Sequence, residues 1–112
     1  MRDERAYLFD MADSARLALQ YASGKTFEQF CDDSQLQDAV LRRLAIIGEA
    51  VRFVSVPTRA RLPELPWDDM ARMRNILVHV YFGVDLEIVW NTVINDLSPL
   101  LEAIERVLHS EA

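Results

Sequence analysis

Arg74, Asn75, His79 and Tyr81 lie in one short stretch of a 112-residue chain. Their types suit work on a phosphodiester. An imidazole takes and returns a proton near neutral pH, a guanidinium offers permanent charge in a planar fork, a carboxamide can orient either, and a phenol presents a hydroxyl. An Arg followed five positions later by a His arises easily by chance, so placement has to carry the reading. On a helix at about 100° per residue, with Arg74 at zero, Met73, Ile76, Leu77 and Val80 fall on an arc between about 200° and 300°. That arc is the expected core face, and the four polar residues cover the opposite one. Each has a plainer reading alone: a solvated Arg, an Asn as surface filler, a His satisfied by packing, a Tyr whose hydroxyl caps the helix end.

Pro66-Trp67-Asp68-Asp69 supplies a helix start with acids in its first turn and Gly83 a stop, so these residues belong to a helix over about 67–82. Upstream, Leu8, Met11, Ala15, Ala18 and Ala22 recur in steps of three and four, an amphipathic helix that Ser23-Gly24 closes. Thr26-Phe-Glu-Gln29 and Ser34-Gln-Leu-Gln37 read as capping boxes, placing a short turn near 27–31 and a long helix from about 35 to Val56. Leu36, Val40, Leu44, Ile47, Val51 and Val54 form its core stripe, with Gly48 beside it where a neighbour can come close. Ile46 and Phe53 make a second seam, open to two readings: a covering loop or a subunit interface.

The Pro-rich stretch 57–67 reads as a rigid loop with room for one helical turn. After Asp85, an N-cap, Leu86, Trp90, Val93, Leu97, Leu100, Ile104 and Val107 continue one stripe that Ile94, Leu101 and Leu108 widen, bent at Pro99. Trp67 and Trp90 read as core anchors, and His109 as a helix-terminal cation. No period-two segment appears. The expected fold is all-α, a single domain over 1–112 with four main helices and a short helical turn.

Composition excludes several classes. The single Cys31 forbids an internal disulfide and has no neighbouring base, no Cys/His cluster has zinc spacing, and neither a signal-peptide core nor a membrane-spanning apolar run occurs. A cytoplasmic protein without metal or cofactor is expected. Net charge is −6, which disfavours nucleic-acid binding by the whole surface, yet residues 42–61 carry five cations against one anion, Glu49. This cationic island permits a local phosphate site.

The string Met73-Arg74-Asn75-Ile76-Leu77-Val78-His79-Val80-Tyr81-Phe82-Gly83-Val84-Asp85 resembles the Arg-x4-His-x-Tyr signature of HepT-type proteins of the HEPN superfamily. Met1-Arg-Asp-Glu-Arg-Ala-Tyr-Leu, Gln37-Asp38-Ala39-Val40, Ile46-Ile47-Gly48-Glu49-Ala50, Pro66-Trp67 and Asp85-Leu86-Glu87-Ile88-Val89-Trp90 extend the likeness over nearly the whole chain. The resemblance implies a HEPN-type bundle, a symmetric homodimer, and the toxin of a type II HEPN/MNT toxin–antitoxin module. It implies metal-independent endoribonuclease activity with Arg74 and His79 as the catalytic pair and Asn75 in support. It further implies an MNT nucleotidyltransferase antitoxin that uses ATP to adenylylate Tyr81. The competing expectation is a helical module that holds a nucleotide or protein on the same face and cleaves nothing.

Overall fold

Asp3 opens the first helix, α1 (Glu4–Ala22), by accepting the Arg5 amide at 3.0 Å. In the computed structural model, which describes residues 2–80 and 85–110 apart from the side chains of 76–80, α1 buries Leu8, Met11, Ala15, Ala18 and Ala22, the stripe expected from their spacing. The capping box of α2 (Phe27–Asp32) is present in full: the Thr26 hydroxyl accepts from the Gln29 amide at 3.1 Å, and the Gln29 side chain accepts from the Thr26 amide at 2.8 Å.

The second expected box does not form. Asp33 caps α3 (Ser34–Val51), accepting the Leu36 amide at 3.0 Å, and Gln37 instead donates to the Phe30 and Cys31 carbonyls that end α2. A carboxylate one position earlier is a strong acceptor for an orphan amide, which frees Gln37 for the neighbouring helix end. Leu36, Val40, Leu44, Ile47 and Val51 are buried along α3 as the stripe requires.

α3 stops at Val51, five residues short of expectation. The Phe53 and Val54 amides bond three residues back, and the Arg59 guanidinium reaches the Val51 carbonyl at 2.8 Å and that of Val54 at 3.1 Å. These carbonyls are satisfied from the side, and Ser55 starts a short α4 (Val56–Ala60) by accepting the Thr58 amide, with Pro57 in its first turn. The Trp67 indole donates to the Leu62 carbonyl at 3.1 Å and packs under Arg59, pinning the connection to α5 (Trp67–Val80). Trp67 is the anchor its sequence position suggests.

The last rod comprises α6 (Leu86–Asn91), a wide π-helical turn over Thr92–Asp96, and α7 (Leu97–Ser110). Asp85 caps it as expected, accepting the Glu87 amide at 2.9 Å. The distortion precedes Pro99, where the missing amide and crowded Asn95 carbonyl would strain a regular turn. Val93, Leu97, Leu100, Ile104 and Val107 stay buried through it, but Ile94 is 50 % exposed and does not widen the stripe. Trp90 packs on Phe30 with ring centroids 5.1 Å apart.

α3 packs against both α1 and α5, and α1 against α7, so the main helices form an all-α bundle in the spatial order α5, α3, α1, α7. Among the described residues there is no strand and no helix long and apolar enough to cross a membrane. The second seam meets α1 and is only partly covered by it. Phe53 stacks on Tyr7 with centroids 4.4 Å apart and stays 48 % exposed, while Ile46 lines a groove between α1 and α3.

Candidate active site

The site begins with a close approach of two helices. Gly48 on α3 lies against the backbone of Arg74 on α5: a Cβ at position 48 would meet the Arg74 amide nitrogen and come within 3.0 Å of its Cα. Only hydrogen in place of a side chain lets the helices meet here, and the contact fixes the level at which Arg74 leaves α5. Met70 and Met73 are buried on the core side of α5, while the side chains of Ile76, Leu77 and Val80, the rest of the expected core face, lie outside the described residues.

The Arg74 side chain emerges 53 % exposed, with its Nε 3.5 Å from Glu49 Oε2; the other Glu49 oxygen takes Arg52 at 3.1 Å. Such half-exposed pairs contribute little stability, and their effect is directional. Glu49 holds the Nε edge, while the two terminal nitrogens of Arg74 bond to no described residue. A guanidinium presented this way can take two oxygens of a phosphate.

Arg74 opens onto a groove of about 410 Å³ walled by α1 and α3, where Arg2, Tyr7, Asp10, Arg42 and Ile46 also line it. Asn75, its neighbour in sequence, lines a different groove of about 660 Å³ between α5 and the last rod, with Met73, Ile88, Thr92 and Pro99. One chain therefore does not bring Arg74 and Asn75 into the same cavity. His79 lies within α5 but its side chain falls outside the described residues, as Tyr81 does entirely.

The cationic island resolves into separate jobs. Arg59 closes the end of α3, Arg52 pairs with Glu49, and Arg42 lines the groove beside Arg74. Sequence reasoning did not single out Arg2, Tyr7, Asp10 or Arg42 for this site. The signal lay in the pairing of α1 with α3, which no local window contains.

The model of the ribonuclease HepT-like family matches residues 11–107. The chain belongs to that family. A HepT-like protein of Thermococcus cleftensis, named "Probable ribonuclease HepT", is 40 % identical over 106 residues, covering 95 % of this chain and 96 % of its own. One from Methanocaldococcus jannaschii, named as a putative RNase, is 36 % identical over 107 residues, covering 96 % of this chain and 88 % of its own. A third, from Caldanaerobacter subterraneus and also named as a putative RNase, is 33 % identical over 111 residues, covering 99 % of each chain. No solved structure matches this HepT-like chain.

Proposed function

We propose that this HepT-like chain is an endoribonuclease that needs no metal, with Arg74 and His79 as its catalytic pair. The observation carrying the proposal is Arg74: set by the Gly48 contact, held along one edge by Glu49, and open at its terminal nitrogens on the rim of a groove. The relatives' names as ribonucleases supply the substrate class. In the reaction, the RNA 2′-oxygen attacks the adjacent phosphorus while its proton passes to a base. The bond from phosphorus to the 5′-oxygen breaks, and that oxygen receives a proton from an acid. The products are a cyclic phosphate and a free 5′-hydroxyl.

One imidazole cannot be neutral and protonated at once. Two His79 side chains across a two-fold axis divide the roles, each Arg74 holds charge on the non-bridging oxygens, and Asn75 orients a ring or the phosphate group. The symmetric homodimer is part of the proposal for this reason. It also lets Asn75 serve from the other copy, since within one chain it opens on a different groove from Arg74.

Regulation is assigned to Tyr81 as part of a toxin–antitoxin module. The nucleotidyltransferase antitoxin transfers AMP from ATP to the phenol oxygen, releasing pyrophosphate, and sets an anion near Arg74. His79→Ala should lower cleavage of single-stranded RNA at least about 100-fold with the helical circular dichroism spectrum unchanged. Unaltered cleavage would remove His79 from the mechanism, and absence of cleavage by the wild type would leave the binding-module reading. Tyr81→Phe should cleave normally but gain no AMP mass when treated with the antitoxin and ATP; an added AMP would move the modified site elsewhere.

A further inference from the structure

The groove beside Arg74 holds three guanidiniums, and their partners divide them unequally. Arg2 pairs with Asp10 at 2.6 Å and lies over the Tyr7 ring, while Arg74 pairs with Glu49 at 3.5 Å. Arg42, exposed on the same wall, has no ion pair or hydrogen bond to any described residue. The groove thus carries one surplus positive charge, at Arg42, in a chain of net charge −6. Its floor is small and apolar, built by Ala45, Ile46 and Ala50. The Tyr7 ring is already engaged by Phe53 and Arg2, so the groove offers charge and room more than a face for a base.

The spacing along α3 sets the two arginines at different levels of the groove. Arg74 meets α3 at Gly48, and Arg42 lies six residues earlier, a rise of roughly 9 Å. The two side chains thus leave the backbone at different levels of one groove, Arg74 held along its Nε edge by Glu49 and Arg42 without a described partner, an arrangement that can serve successive phosphates of a strand lying along it. We infer that the groove between α1 and α3 is a second phosphate site, in which Arg42 holds a neighbouring phosphate of the RNA strand whose scissile phosphate sits at Arg74. The inference rests on the ribonuclease reading for the second half of that statement, and it makes Arg42 a binding residue with no part in proton transfer.

The test compares Arg42→Ala with Arg43→Ala, which removes the same charge one residue away, outside the groove. Steady-state cleavage of a single-stranded RNA should give a KM raised about five- to tenfold for Arg42→Ala with kcat held within about twofold. Arg43→Ala should match the wild type, and Arg42→Lys should recover part of the KM. The slope of log affinity against log salt should fall by about 0.7 for Arg42→Ala, the loss of one contact on a single strand. An unchanged KM, or equal effects at 42 and 43, would overturn the inference, as would a loss in kcat alone. Anisotropy of a fluorescent 2′-O-methyl RNA, which cannot undergo 2′-oxygen attack, separates the two readings. Weakened binding by Arg42→Ala with no cleavage by the wild type would retire the ribonuclease and keep the groove as an anion track; no binding by the wild type would sink the groove.

Discussion

Glu4 joins the first turn of α1 to the start of α4. Its carboxylate accepts from the Ser55 amide and, at 2.8 Å, from the Thr58 hydroxyl, which is buried. The Ser55 amide is the main reason its pKa sits below the ordinary carboxyl value; partial burial opposes the shift, and the Ser55 and Thr58 side chains and the Arg61 charge add to it. Because the folded value is the lower one, the stabilisation is complete above the unfolded carboxyl pKa of about 4.3 and is lost as pH falls through the folded value. Glu4→Gln should therefore cost about 1 kcal/mol at neutral pH, and the gap to wild type should close under acid. Urea titrations at neutral and acid pH would check it; a constant gap would assign the effect to shape and not to charge.

At the scale of helices, Gly48 decides how α3 and α5 meet. Gly48→Ala gains about 0.5–1 kcal/mol of intrinsic helix preference, but the new methyl strikes backbone that can move only by shifting α5, a cost of about 1–3 kcal/mol or more. The clash should win. The expected result is a lower urea midpoint with unchanged m value and a fall in cleavage larger than the unfolded fraction explains.

The positions of these helices were largely legible in the sequence because their signals are local. The apolar steps of α1 and α3, the Thr26 box, the Asp85 cap and the start of α5 at Trp67 each fit within a turn or two. Gly48 could be named as a close approach before its partner was known. The end of α3 was not legible, since Arg59 reaches back to close it, and the exposure of Ile94 depends on how the rod relieves Pro99. The same division holds for the site: Arg74, Asn75, His79 and Tyr81 share one string, whereas Arg42 joins Arg74 only through the packing of α1, α3 and α5.

For the molecule as a whole, the order α5, α3, α1, α7 leaves α5 at one side of the bundle, with Arg74 and Asn75 opening on separate grooves. The proposed reaction divides its two proton transfers between two His79 side chains, and so needs two chains. Cleavage per chain should be constant at high protein concentration and fall steeply on dilution, in step with a shift from dimer to monomer in sedimentation. Constant specific activity across that shift would confine the chemistry to a single chain. The meeting of Gly48 and Arg74 bears on how far such a protein can be redesigned. Because main chain rests on main chain there, the spacing depends on position 48 staying bare and on no bulky side chain at the contact, and the aliphatic interior can be recomposed around it while the guanidinium keeps its station.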